Sequence, residues 1–173
     1  MHRIILTGYM GSGKTTVGLA LAQQLSIPFF DLDEQIENET GQSISEIFKE
    51  RGSLWFRKKE HTLLNELMRK NEYFVLSLGG GTPCYANNHL LLQSEGISSF
   101  YLKANVATLV ERLSKETEHR PLLKDLNTDL ASYIGQHLFE RTPFYNYAKH
   151  TITIDKRTTM MITEEIIKKI VTI

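Results

Sequence analysis

A glycine-rich stretch near the start of the chain has the residue types and spacing of a phosphate-binding loop. Residues 8–18 read GYMGSGKTTVG and contain the pattern Gly8-x-x-x-x-Gly13-Lys14-Thr15 between an apolar run and a helix-period segment. In that context the glycines let backbone N–H groups face phosphate oxygens, the lysine reaches the outer phosphates and the threonine hydroxyl can bind Mg²⁺. The pattern therefore predicts a nucleotide site rather than a glycine-rich turn followed by an incidental Lys-Thr. Its predicted contacts are Gly11, Ser12, Gly13, Lys14, Thr15 and Thr16.

Two aspartates, Asp31 and Asp33, stand at the end of the second apolar run, IPFFD at 27–31. Residues two apart in an extended chain project to the same side, and ligands of open α/β sheets bind outside the carboxyl ends of the strands. We therefore expect both carboxylates beside the phosphate loop. One would support Mg²⁺ directly or through water, and the other would orient or deprotonate an attacking hydroxyl. The alternative is that Asp33 only caps a helix that begins near Glu34.

Three consecutive glycines, Gly79, Gly80 and Gly81, follow the third apolar run, YFVLSL at 73–78. Three glycines cost backbone entropy, and they are most useful where a ligand must approach the main chain closely. The triplet therefore predicts a ligand-facing loop at the same edge of the sheet as the two aspartates. A tight turn is the alternative, and such a turn rarely needs all three.

Three arginines carry weaker signals when each is taken alone. Arg57, in WFRKKEH, is three residues before Glu60 and could form an exposed helix ion pair that contributes little. Arg141 could be a solvated charge near the end of a helix, where cations are favoured. Arg120 lies in the irregular segment HRPLL and could be an ordinary loop charge. From the residues alone, these alternatives stay open.

The elements that must position these residues follow an alternating pattern. Short apolar runs predict strands at 3–7, 27–31, 73–78, 98–102 and 151–154. Helix-period segments predict helices at 14–25, 34–40, 44–50, 53–70, 87–95, 106–113, 129–141 and 160–170. Ser43 and Glu46 form the pattern of a capping box, and Asn105 is a predicted N-cap. Strands that alternate with helices predict an α/β fold with a five-stranded parallel sheet flanked by helices.

Composition narrows the class of function. The chain has 173 residues, which suits one domain, and its 20 basic and 20 acidic residues balance. This balance offers no field to attract nucleic acid or a membrane, and no apolar run is long enough to span one, so we expect a cytoplasmic protein. The single cysteine, Cys84, cannot form an internal disulfide. A switch-type GTPase is disfavoured because no DxxG follows the phosphate loop and no NKxD is present.

Taken together, these residues resemble the shikimate kinases, and the similarity runs through nearly the whole chain. The matching segments, in order, are GYMGSGKTTVG, DLD at 31–33, FRKKE at 56–60, SLGGGT at 77–82, RPLL at 120–123 and RTPFY at 141–145. The resemblance implies ATP-dependent phosphorylation of the 3-hydroxyl of shikimate, a step toward the aromatic amino acids. It implies a P-loop NTPase three-layer sandwich with a mobile lid, formed by residues 1–173 as one domain, and it suggests a monomer.

The resemblance also assigns the acceptor side of the site. It implies that shikimate is held by a helical segment at about 33–61 and by the glycine triplet. The two arginines, Arg57 and Arg141, would bind the carboxylate of shikimate. Asp33 would contact its hydroxyls as a catalytic group.

On the donor side, the resemblance implies that Lys14 and Thr15 contact the phosphates and Mg²⁺, with Asp31 on the metal side. Arg120 would reach the phosphates from a lid at about 114–128, and it joins Lys14 and Asp33 as a catalytic residue. Arg112, in the segment VERL, would stack near adenine.

Two other functions of different kinds would also use a phosphate loop. A gluconate kinase or a nucleoside-monophosphate-type kinase would share the phosphate loop and the lid but would need another acceptor site. A regulatory module that binds ATP without transferring phosphate would show no dependence on an acceptor.

Overall fold

A parallel sheet carries the loops that hold the predicted site. A computed structural model of the chain describes residues 3–70, 72–115 and 129–171. Within these ranges five strands pair in parallel in the order β2-β3-β1-β4-β5. They are β1 (Arg3–Thr7), β2 (Phe29–Asp31), β3 (Val75–Ser77), β4 (Ile97–Lys103) and β5 (His150–Thr153).

Helices connect these strands. In the described parts of the chain they are α1 (Lys14–Leu25), α2 (Leu32–Thr40), α3 (Ile44–Arg69), α4 (Val106–Lys115), α5 (Leu130–Tyr145) and α6 (Thr159–Val171). Two 3₁₀ segments, Thr82–Cys84 and Asn88–Gln93, lie between β3 and β4. None of the helices in the described ranges is long and apolar enough to cross a membrane.

Both faces of the sheet are covered, because successive residues of β1 enter different cores. Ile4 and Leu6 pack with Leu21 of α1 in one core, whereas Ile5 packs with Leu64 of α3 in the other. All five side chains are at most 1% exposed. Alternation of this kind is what a strand with helices on both sides requires. The predicted three-layer α/β fold of the P-loop NTPase class is therefore confirmed.

Helix α3 contains a break at Gly52, which lies between the two helices that the sequence pattern predicted at 44–50 and 53–70. Gly52 has φ 77° and ψ 169°, a conformation that a residue with a side chain rarely adopts. The capping box at the start of α3 is also confirmed, since Ser43 and Glu46 each accept the other's backbone N–H. The break separates the first turns of α3 from the segment that carries Arg57.

Some boundaries and element types differ from the sequence-based expectation. The segment predicted as a helix at 87–95 is the 3₁₀ helix Asn88–Gln93, and it begins after Asn87, whose φ of 60° is left-handed. The helix predicted at 129–141 continues through Pro143 to Tyr145, a residue that is fully buried. Of the predicted lid, residues 114 and 115 belong to α4, and residues 116–128, with Arg120, lie outside the described residues.

Candidate active site

The phosphate loop joins β1 to α1 and encloses the lysine side chain. Gly13 takes a left-handed conformation (φ 87°, ψ 20°) directly before Lys14, the first residue of α1. The Lys14 side chain is buried, and its Nζ donates to the carbonyls of Gly8 at 2.9 Å and Tyr9 at 3.0 Å. A buried ammonium group gains more from an anion than from carbonyls alone, so the loop is electrostatically prepared for phosphate.

Two further features of this loop fit a close ligand. A Cβ added to Gly8 would lie 2.7 Å from the Leu102 carbonyl oxygen of β4, so the loop can approach β4 this closely only with glycine there. The buried Ser12 Oγ has no hydrogen-bond partner among the described residues. A buried hydroxyl of this kind generally finds a partner, and a phosphate oxygen would supply one.

The end of β2 supplies an acid to the same loop. Thr15 Oγ1 donates to Asp31 Oδ2 at 2.9 Å. Hydroxyl and carboxylate oxygens are the ligands that Mg²⁺ takes, usually through one or two protein groups together with substrate phosphates. Accordingly, the described part of the chain holds no cluster of three or more His, Cys, Asp or Glu side chains suited to a metal ion.

The geometry expected for the two aspartates was wrong in one respect. The chain does not stay extended to Asp33: α2 begins at Leu32, because Asp31 Oδ1 accepts the backbone N–H of Asp33 at 3.1 Å and so caps the helix. The alternative that Asp33 is the cap is therefore also wrong. Both carboxylates nevertheless line the same cavity, as the position at the strand end predicts.

Asp33 is half-buried among other charged groups. Burial raises the pKa of Asp33 from 3.8 to about 6, and the nearby Glu60 and Asp31 carboxylates contribute to the rise, against the opposing effect of Lys14 and Arg57. A carboxyl group with a pKa in this range can exchange a proton near neutral pH.

Glu60 is an acidic group of the site whose burial was not predicted from the sequence. The predicted pair with Arg57 exists, but Glu60 is 0% exposed, so the expected exposed ion pair is wrong. Its second carboxylate oxygen accepts from Thr82 Oγ1 at 2.5 Å. Burial raises the pKa of Glu60, opposed by Arg57 and by the hydrogen bond from Thr82. The spacing from Arg57 was a readable signal, whereas the burial depends on the 3₁₀ segment that carries Thr82.

The glycine triplet packs directly against these charged side chains. A Cβ added to Gly79 would lie 2.6 Å from Glu60 Oε1 and 2.9 Å from Asp33 Oδ1, and one added to Gly81 would overlap the guanidinium of Arg57. That this loop faces a ligand stays a prediction, but close neighbours do require glycine at these positions. Here the groups that need the space are side chains of the protein.

Arg141 reaches the triplet from α5. It precedes the last turn of the helix and is half-buried, so the alternative of a solvated helix-end charge is wrong. Its Nη1 lies 3.6 Å from the position of a Cβ added to Gly80, and its Cζ lies 5.5 Å from the centroid of the Tyr9 ring. Tyr145, one turn further along α5, donates its hydroxyl hydrogen to the Gly80 carbonyl at 2.5 Å.

A cavity of about 450 Å³ extends from the two aspartates across the phosphate loop to α4 and α6. Arg112 lines it, and its Nη1 donates to the Gly11 carbonyl at 3.0 Å. Three other lining residues, Arg157, Thr159 and Ile162, lie outside every motif of the sequence. They follow β5, so the rule that ligands gather at carboxyl ends of strands was the signal that could have found them.

The cavity and the triplet divide the predicted site residues into two neighbouring groups. Thr16 and the other predicted contacts of the phosphate loop line the cavity together with Asp31, Asp33, Gly79, Gly80 and Arg112. Arg57, Arg141 and Glu60 lie against the glycine triplet but do not line this cavity, and Gly81 does not line it either. The cavity at the phosphate loop thus adjoins a cluster of two guanidinium groups and two carboxylates around the glycine triplet.

Comparison with known proteins agrees with this arrangement. The family model described as shikimate kinase matches residues 10–171. A shikimate kinase of Flavobacterium psychrophilum is 48% identical over 169 residues, which are 97% of this chain and 98% of that protein.

Solved structures give the same result. A shikimate kinase from Acinetobacter baumannii in complex with shikimate superposes with a TM-score of 0.90 at 34% identity, over 99% of this chain and 94% of that one. A shikimate kinase from Bacteroides thetaiotaomicron gives a TM-score of 0.87 at 35% identity, over 98% and 96%. A gluconokinase from Sinorhizobium meliloti, at 17% identity and a TM-score of 0.58 over 99% and 92%, shares the fold alone. With nearly the whole chain matched at this identity, the protein belongs to the shikimate kinase family.

Proposed function

We propose that this protein transfers the γ-phosphoryl group of ATP to the 3-hydroxyl of shikimate, giving shikimate 3-phosphate and ADP. The observation that carries the proposal is the placement of Arg57 and Arg141 against the glycine triplet, directly beside a phosphate loop. A nucleotide site alone is common to many reactions, whereas two guanidinium groups at an adjoining pocket suit a small acceptor that carries a carboxylate. The family, and the relative solved in complex with shikimate, support the same acceptor.

ATP occupies the donor side in this proposal. The backbone of Gly11, Ser12 and Gly13 and the start of α1 contact the phosphates, with Lys14 on the outer ones. Ser12 Oγ fits this role because it lacks a partner among the described residues. Arg112 lies at the wall toward the adenine, and Arg120 would approach the phosphates from the segment expected to form the lid.

Mg²⁺ fits the oxygen pair of Thr15 and Asp31, which would hold it on the phosphate side. When bound, it supplies positive charge to the phosphate oxygens. Binding of the acceptor and transfer of its proton depend on side chains of the protein.

On the acceptor side, Arg57 and Arg141 bind the carboxylate of shikimate, and the glycine triplet forms the floor of the pocket. Asp33 accepts a hydrogen bond from the 3-hydroxyl and so directs its oxygen at the γ-phosphorus. With a pKa of about 6, Asp33 is about nine-tenths deprotonated at pH 7 and can take the hydroxyl proton.

The transfer then needs mainly positioning and charge. A bond forms between the hydroxyl oxygen and the γ-phosphorus, and the bond from that phosphorus to the bridging oxygen breaks with its electrons staying on ADP. In this proposal Lys14 stabilises the charge on the phosphoryl oxygens during this step.

We further propose that the enzyme is cytoplasmic, as its composition leads us to expect, and a monomer, as the family resemblance suggests. Sedimentation at working concentration checks the oligomeric part.

The test is ADP release with Mg²⁺ and ATP, measured with and without shikimate, with gluconate and nucleoside monophosphates as control acceptors. Turnover only with shikimate is expected, together with a product phosphorylated at the 3-hydroxyl. Turnover with a control acceptor would refute the assigned substrate. ATP binding with no acceptor-dependent turnover would favour a regulatory nucleotide-binding module.

A further inference from the structure

Tyr9, the second residue of the phosphate loop, connects the two halves of the site. It is 1% exposed, and its carbonyl accepts from Lys14 Nζ at 3.0 Å. Its ring lies beneath Arg141, whose Cζ is 5.5 Å from the ring centroid. One residue therefore contacts both the lysine of the donor side and an arginine of the acceptor side.

Tyr9 also contacts α5 through its hydroxyl. The Tyr9 hydroxyl and His137 Nδ1 are hydrogen-bonded at 3.1 Å, and Tyr133 packs edge-on against the His137 ring with centroids 4.2 Å apart. His137 and Arg141 are four residues apart in α5 and so lie on one face. Tyr9 thus contacts the helix at two points, through its hydroxyl and through its ring face.

The contact between Tyr9 and His137 brings no charge that would compete for Arg141. Burial raises the pKa of Tyr9 to about 12, although Arg141 opposes the rise. Burial, helped by Arg141, lowers the pKa of His137. Both groups are therefore neutral at neutral pH, and the Tyr9 ring holds the guanidinium through its π face without neutralising it.

We propose that Tyr9 is a positioning residue for Arg141. Its ring holds the guanidinium against the glycine triplet, so a residue of the phosphate loop orients the arginine that binds the carboxylate. The phosphate loop, the glycine triplet and Arg141 meet at Gly80. A Cβ added to Gly80 would lie 3.5 Å from Met10 N and 3.6 Å from Arg141 Nη1. This inference rests on the proposed function, in which Arg141 binds the carboxylate of shikimate.

The competing explanation is that Tyr9 only fills space in the core. The two explanations differ in which kinetic constant changes. A loss of core packing would disturb the loop that carries Lys14 and so affect ATP and shikimate alike. A loss of positioning would raise the KM for shikimate, leave the KM for ATP nearly unchanged, and depend on Arg141 being present.

The experiment compares Tyr9→Phe, which keeps the ring, with Tyr9→Leu, which removes it, and uses Tyr73→Leu as the matched control. Tyr73 is 48% exposed and precedes β3, so it lies at the amino-terminal end of a strand whose carboxyl end faces the site. We expect Tyr9→Leu to raise the KM for shikimate by about 5-fold to 30-fold, the range of a desolvated cation–π contact. Tyr9→Phe and Tyr73→Leu should stay within about 3-fold of wild type, a margin set below that range.

A double-mutant cycle with Arg141→Ala tests whether Tyr9 acts through Arg141. In the Arg141→Ala background, Tyr9→Leu should raise the KM for shikimate no further. An equal further rise would overturn the proposal, as would a parallel increase in the KM for ATP. An equal effect of Tyr9→Phe and Tyr9→Leu would place the contribution in the hydroxyl and would also refute it.

Two provisions keep the outcomes distinct. If Tyr9→Leu does not fold, Tyr9→Met takes its place, because the flexible methionine side chain fills the space without an aromatic face. Wild-type turnover with shikimate is measured first. An inactive wild type would overturn the proposed function together with this inference, whereas an active wild type with unchanged Tyr9 variants would overturn this inference alone.

Discussion

Replacing Asp33 by asparagine should stabilise the fold while it removes activity. The carboxyl group is half-buried beside two other carboxylates, and the pKa of Asp33 rises from 3.8 to about 6. The folded state therefore favours the protonated form. Charged Asp33 costs stability at neutral pH, whereas an asparagine side chain at this position would bring no charge to bury. Active sites commonly hold groups that are unfavourable for stability in this way.

The magnitude and its pH dependence follow from the two pKa values. A rise of about two units corresponds to about 3 kcal/mol when Asp33 is charged in both the folded and the unfolded state, that is, above pH 6. Below pH 3.8 the group is neutral in both states and the cost disappears. The wild type therefore loses stability as pH rises through the window from 3.8 to 6, because Asp33 becomes charged in the folded state at this cost. The advantage of Asp33→Asn should be about 3 kcal/mol at about pH 7.5 and about 1 kcal/mol at about pH 4.5.

Urea unfolding of wild type and Asp33→Asn at these two pH values measures the difference. Asp129→Asn is the matched control, because Asp129 is exposed and caps α5 through a side-chain oxygen that asparagine can supply equally well. Equal or lower stability of Asp33→Asn at the higher pH would refute the reasoning. It would mean that attraction from Lys14 and Arg57 outweighs burial. Turnover of the same variant should fall far more than its affinity for ATP.

Three further substitutions test other parts of the site. Lys14→Met should lower kcat by at least about 10²-fold while the melting temperature stays within about 3 °C, and an unfolded variant would contradict this. Glu60→Gln should raise the KM for shikimate about tenfold and leave the KM for ATP unchanged, because Arg57 loses a charged partner. An unchanged KM for shikimate would argue against a role of Glu60 in holding Arg57. Gly81→Ala should displace Arg57 and raise the KM for shikimate about tenfold. The control Gly135→Ala should leave this KM unchanged, because the space around its new methyl group is open. Equal effects of the two substitutions would refute the close approach of Arg57 to Gly81.

The sheet and most helices could be predicted because each element has its own local signal. Ser43 with Glu46 and the glycine at 52 mark the start and the interruption of α3 without reference to any other element. Residues 87–95 had no comparable signal, because a 3₁₀ helix and an α-helix share the apolar spacing over so short a segment. The start of α2 was misplaced because the capping hydrogen bond comes from Asp31, a residue that the pattern assigned to the strand alone.

The donor side of the site was predictable, and the acceptor side was predictable only as a set of residues. Lys14 and Thr15 belong to one contiguous motif, and Asp31 follows from the rule for strand ends. The interactions around Arg141 depend on contacts between distant parts of the chain, such as that of Tyr145 with Gly80, which are 65 positions apart. No local pattern contains that information. The resemblance to a family supplied only the expectation that Arg141 and the glycine triplet share the acceptor site.

The two arginines of the acceptor pocket have different surroundings, and the difference explains how the pocket can hold both. Arg57 is paired with the buried carboxylate of Glu60, which offsets one of the two positive charges. Among the described residues no carboxylate forms an ion pair with Arg141, whose guanidinium lies over the Tyr9 ring instead. Without Glu60, two uncompensated guanidinium groups would repel each other across the triplet. With a carboxylate against each, the pocket would have no excess charge for an anionic acceptor. Arg57, Arg141 and Glu60 together thus carry one positive charge, which suits the carboxylate of shikimate, while the Asp33 carboxylate is left for its hydroxyl.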